Sequence, residues 1–217
     1  MAITYPRPIP GGCMATDTMR LIRTETVAQL VSGVVQTTQL GMPRWKCDYT
    51  TKSMRGMAER KMWRAWLDSL NGAMQTFLGH SPMQIWPTAY PRGYAGINRA
   101  AGGAFNGQAD VTAITTTTIT IAGLPASFVL GAGDLVGLID TNRYGLHRIM
   151  EDKIGNLDGT MTITVSPFVN LSIFKIGSKV NFAKPVCEMI LDPQTPPDTS
   201  ADITFKPVTF TGVQRWY

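Results

Sequence analysis

The chain reads as a mainly β protein of the α+β kind: a β-sandwich-like domain with one amphipathic helix, and a second, smaller β-barrel or sandwich. Three observations lead there. Charged residues make up only 16% of the 217 residues while apolar residues make up 44%, against about 25% charged in ordinary soluble proteins. Short β-branched, Thr-rich runs recur between Gly, Asn and Pro turns, the pattern of strands whose polar positions carry hydroxyls. Only between Gly56 and Asn71 does a long stretch without Gly or Pro place large apolar residues at helical spacing.

The elements follow in order. Residues 1–20, rich in Pro, Gly and Met, predict an extended arm without a periodic apolar face, of the kind that packs on a neighbour. From Leu21 to Leu40, LIRTETVAQLVSGVVQTTQL predicts two strands meeting near Ser32-Gly33. Gly41-Met42-Pro43 is a turn. Arg44 to Tyr49 then alternates, with Trp45, Cys47 and Tyr49 on one face and Arg44, Lys46 and Asp48 on the other, as a strand with one buried side does.

Met62, Trp63, Trp66 and Leu70 share a helix face, and Asn71-Gly72 supplies the left-handed residue that ends a helix. Met74 to Leu78 and Ile85-Trp86 predict short strands. Residues 87–110 shift to Pro, Gly, Ala and Asn, a loop with a domain boundary near Tyr90. Beyond it, Thr117–Ile121, Leu135–Asp140, Leu146–Met150, Thr160–Val165 and Lys179–Phe182 predict five strands, with turns at Asn142, Asn156 and Asp158-Gly159. After the polar connection DPQTPPDTSAD, Ile203 to Val213 predicts one more strand or a hairpin.

Little in the sequence suggests catalysis. His80 and His147 are the only histidines, too few for a metal site or triad of the usual kind. Gly131-Ala132-Gly133 lacks the Gly and Lys of a phosphate loop and reads as a turn. Asp134, Asp140, Glu151, Asp152 and Asp158 offer carboxylate pairs for glycoside hydrolysis, yet each sits at a strand end or turn, where Asp satisfies backbone groups. Asn170-Leu171-Ser172 matches a glycosylation acceptor, without a leader to route it there. Cys13, Cys47 and Cys187 are odd in number and far apart, which points to a reducing compartment. The uncharged stretch Val111–Gly133 is too polar to insert in a membrane.

The net charge is +5, and it resides in one window. Arg44, Lys46, Lys52, Arg55, Arg60, Lys61 and Arg64 stand against Asp48 and Glu59. Interleaved with Trp45, Tyr49, Trp63 and Trp66, these cations suggest nucleic-acid binding. The plainer reading turns the aromatics inward and the cations to solvent.

Arg44-Trp45 through Phe77, with its Trp-bearing strand, the helix ending LDSLNG and then MQTFL, resembles the start of tail-assembly proteins of long-tailed bacteriophages. GAGDLVGLID, YGLHRIMED and GTMTITVSPFVN are similar to their second module. Within that group the distal tail proteins are the nearest in pattern. The resemblance implies a belt-like domain from residues 1–90 and 192–217, interrupted by an inserted β domain over 91–191. It implies a homo-oligomeric ring, usually a hexamer, joining the tail tube to the tip hub in the virion, made in the host cytoplasm. It implies no catalytic, cofactor-binding or metal residues, and a lumen for DNA passage that the basic segment lines. The alternative is a tail-tip carbohydrate-binding or hydrolytic protein acting through the second β domain.

Overall fold

The computed structural model describes residues 3–11, 14–29, 31–54, 56–198 and 206–215. Cys13, Arg55, Tyr217 and residues 203–205 of the expected last strand lie outside that set.

The first half of the chain holds β1 (Arg7–Pro8), β2 (Met14–Ile22), β3 (Glu25–Gln29), β4 (Val35–Gln39), β5 (Arg44–Thr51), α1 (Met57–Ser69) and β6 (Phe77–Gly79). Then come β7 (Gln108–Ile114), β8 (Thr118–Ala122), β9 (Val129–Leu130), β10 (Leu135–Asp140), β11 (Arg143–Ile149), β12 (Lys153–Ile154), β13 (Met161–Ser166) and β14 (Lys179–Asn181). Finally β15 (Cys187–Leu191) and β16 (Thr209–Gln214) return to the first region. The protein is mainly β with a single helix among the described residues.

Two bodies result. One is a six-stranded sheet in the order β1-β6-β15-β16-β5-β2; the other is a closed barrel, β10-β11-β13-β8-β7-β14. The sheet therefore takes strands from both ends of the chain, and the barrel comes wholly from between them. β15, which the sequence reading assigns to the inserted region, pairs with β6 and β16 in the sheet.

β5 organises the sheet. Trp45, Cys47, Tyr49 and Thr51 are buried in strict alternation, and α1 lays Trp63, Trp66 and Leu67 against that face. Phe210 stacks on Tyr49 at 4.9 Å between centroids and lies 5.5 Å from Trp66. Burying rings of this size contributes several kcal/mol of apolar transfer each, of order 2–5. Met62, expected on the inner face, points outward; the interior arc of α1 is narrow and the two indoles fill it. The helix ends as its sequence predicts, with Asn71 at φ 48° and Gly72 at φ 62°.

The barrel core is aromatic at one end. Tyr94, Phe105, Phe128 and Phe182 meet there, with Tyr90 stacked on Phe128 at 4.7 Å. The segment expected as a loop, 87–110, thus supplies core residues from irregular backbone, and its last residues open β7. β7 was hidden because QADVTAI buries only Ala109 and Val111. Ile85-Trp86 is loop, not strand, and β6 starts only at Phe77.

Residues 1–20 depart furthest from expectation. Instead of an extended arm of the kind that packs on a neighbour, β2 pairs antiparallel with β5 over its whole length. An edge strand buries only part of one face, so its apolar period is faint.

Candidate functional site

Each of the five carboxylates of the second β region accepts hydrogen bonds from nearby groups. Asp134 accepts hydrogen bonds from the Thr88 N–H, the Thr88 hydroxyl at 2.7 Å and the Gly131 N–H. Asp140 accepts from Ser178 and Thr141, and Asp152 from the Ala132 N–H at 2.7 Å. A hydrogen bond from Thr164, with Lys153 nearby, holds the Glu151 carboxyl below its usual range. The Thr160 hydroxyl and N–H do the same for Asp158. These shifts oppose what a general acid needs. Each group ties a turn or strand end in place, as its position suggested.

Both histidines are buried. His147 shares a 2.8 Å hydrogen bond with the Pro167 carbonyl through Nδ1, while Nε2 has no partner. Desolvation lowers its pKa to about 4, and burial, aided by Lys184, does the same for His80. They lie in different bodies, on β11 and after β6. Among the described residues no cluster of three or more His, Cys, Asp or Glu is placed to hold a metal. Cys47 and Cys187 lie inside the sheet's core and are not joined in a disulfide, and burial pushes the Cys187 thiol up. No helix among the described residues is long and apolar enough to cross a membrane.

The basic window separates into two sets. Trp45, Tyr49, Trp63 and Trp66 are at most 2% exposed, so no ring is available for stacking on a base. Lys46 reaches the buried Asp192 at 2.6 Å. Burial raises the Asp192 pKa, but bonds from Lys46 and the Gln194 N–H outweigh it and leave the carboxyl below its usual range. Arg60 donates to the Lys206 carbonyl. Arg44, Lys52, Lys61 and Arg64 are exposed on β5 and its neighbourhood and on α1.

What the structure does present is a pair of surfaces. β3 and β4 continue the β2–β5 ribbon beyond the sheet: Ile22 faces Arg44 in one register and Glu25 faces Gln39 in the next. The Leu40 N–H to Thr24 carbonyl bond at 2.8 Å joins the two parts. Every described residue from 22 to 42 is exposed. Val27, Val31, Val34, Val35, Leu40 and Met42 are among them, and from Thr26 to Pro43 there is no charge. A two-stranded ribbon alone is marginal in water, and one with both faces bare and no charge beyond Glu25 suits a covered environment.

The second surface is a trough along the β1 edge. Three clefts of about 520, 260 and 500 Å³ adjoin there. The first two share Ile9 and Pro10, and the last two share Pro82 and Ile85. It runs from Met62 on α1 to the Gly133-Asp134 turn at the barrel. Ile3, Met62, Met83, Ile85 and Trp86 leave apolar atoms exposed along it.

Strand pairing cannot cover this edge. The Arg7 N–H points inward to the Thr76 carbonyl, so the outward backbone positions on either side belong to Pro6 and Pro8, which have no N–H. The sequence contained both signals, the neutral run after Glu25 and the Pro6, Pro8, Pro10 spacing, but neither reads as a surface until the topology is known. No model of a known protein family matches the chain, and no curated protein matches it.

Proposed function

We propose that the chain is a structural ring subunit of a long-tailed bacteriophage tail, set at the distal end where tail tube meets tip hub. One observation carries the reading: the ribbon β3–β4 stands clear of the fold, exposed on both faces, with Val27 and Val35 bare on one of them and no charge from Thr26 to Gln39. Such a feature is stable when neighbours cover it. A subunit in a ring has neighbours on two sides and partners above and below, each specific contact covering roughly 800 Å² per partner. The low charge of the whole chain agrees with a surface largely hidden in an assembly. The sheet takes strands from the first and last parts of the sequence with the barrel between them, and this supports the reading. The exposed cations of β5 and α1 face the lumen in this reading and offset the charge of passing DNA.

Electron microscopy of the purified protein and antibody labelling of virions test it. Closed rings, and label at the tail end away from the head, are the expected results. A chain that stays single at high concentration and is absent from particles overturns the proposal.

A further inference from the structure

We infer that the ribbon of one copy lies in the trough of the next, so that head-to-tail contact between second copies of this chain closes the ring. The inference rests on the ring reading above and adds which two surfaces meet. Ribbon and trough are matched in chemistry. The ribbon offers Val27, Val31, Val34 and Val35, and its charges, Arg23 and Glu25, are confined to its root. The trough offers Met62, Met83, Ile85 and Trp86, with Arg7, Lys184 and Asp134 the charged residues along its lining. Burying either against water-loving surface would strand apolar atoms; burying each against the other covers both.

Position makes the contact intermolecular. The ribbon leaves from β2 and β5, and the trough follows β1, at the opposite end of the strand order. Met14, at the start of β2, lines the trough, but the ribbon leaves beyond Ile22 at the other end of that strand, eight residues or roughly 26 Å away. A patch on one edge that meets a different patch on the other edge is a heterologous contact, the kind that propagates around a ring and closes it. Roughly 20 residues, from 23 to 43, belong to the ribbon, about the complement of one side of a standard interface. Side chains must make this contact, because Pro6 and Pro8 deny the β1 edge a ladder of hydrogen bonds.

Two variants test the pairing: a ribbon variant, Val31→Asp with Val35→Asp, and a trough variant, Met62→Glu with Met83→Glu. All four side chains are exposed, so each variant is expected to melt within a few degrees of the parent. Sedimentation of the parent is expected to show a ring, and of each variant alone a single chain. Mixed in equal amounts, the two are expected to form a species of two chains and no larger one, since only the intact ribbon of one and the intact trough of the other remain to join. If the trough variant still forms parental rings, ribbons meet something other than the trough; the inference fails and the ring reading survives. If each variant and the mixture stay single while the parent assembles, the two surfaces are not partners and the inference fails. If the parent itself stays single, both fall.

Discussion

The indole N–H of Trp45 on β5 donates to the Leu146 carbonyl on β11 across 2.7 Å. This bond ties the sheet to the barrel through a side chain fully enclosed by both. The Arg148 guanidinium lies over the same ring at 5.0 Å, and the Trp45 N–H takes the Gln214 side-chain oxygen from β16. Leu135 and Leu146 of the barrel complete the sheet's own core, so the seam is packed as an interior.

Trp45→Phe keeps a ring at the seam and removes the donor. A buried carbonyl left without its partner costs about 1–3 kcal/mol. The expected outcome is a drop of that size in unfolding free energy, read from the urea midpoint at unchanged slope. Faster proteolysis within residues 82–107 is expected beside it.

Trp63 and Trp66 separate packing from hydrogen bonding. Trp66 Nε1 donates to the Pro8 carbonyl at 2.9 Å, whereas Trp63 Nε1 has no partner. Replacing either by Ala is expected to cost about 3–5 kcal/mol in thermal or urea unfolding. Replacing each by Phe is expected to split them. Trp66→Phe loses a bond that anchors β1, while Trp63→Phe removes an unsatisfied donor and is the milder change.

Much of this was legible where burial is one-sided and strict. β5, α1 and β10 each announce themselves because a full face is interior: Trp45, Cys47 and Tyr49 alternate, and Trp63 and Trp66 sit one turn apart. The edge strand β2 and the barrel strand β7 do not, since Thr16, Thr18, Gln108 and Asp110 face water or partners too mixed to set a period. Tyr94 and Phe105 were missed as core because irregular backbone between glycines brings them in, and no periodicity describes such a path. The two surfaces were harder still. The run from Thr26 to Pro43 reads as an ordinary hairpin, and only the absence of any packing neighbour turns it into a surface. Pro6 and Pro8 acquire meaning once β1 is known to be an edge.

His147 sets a pH dependence. Its folded pKa, lowered to about 4 by burial, lies below the unfolded value of about 6.5. The unfolded chain therefore binds the proton more readily as pH falls. Stability is full above pH 6.5 and is lost between 6.5 and 4, at about 1.4 kcal/mol per pH unit for one such group. His80, also lowered to about 4, acts in the same direction. The expected result is a urea midpoint that falls between pH 7.5 and pH 5, with a shallower fall for His147→Gln.

Gly159 closes the turn between β12 and β13. Its φ of +77° is unfavourable for any side chain, and an added Cβ would stand 2.4 Å from the Leu124 carbonyl oxygen and 2.9 Å from the Ala100 Cβ. The backbone cannot yield cheaply, because the Leu124 N–H is bonded to the Gly159 carbonyl at 3.0 Å and the Ala100 N–H to the Leu124 carbonyl at 3.0 Å. The left-handed conformation alone costs a non-glycine residue about 1–3 kcal/mol, and the clash adds to it. Gly159→Ala is therefore expected to destabilise the barrel by at least about 2 kcal/mol. Gly177→Ala, with a φ of +92° and open space around its Cβ position, is expected to show the conformational cost alone. A larger loss of unfolding free energy at Gly159 than at Gly177 is the measurement that separates the clash from the backbone.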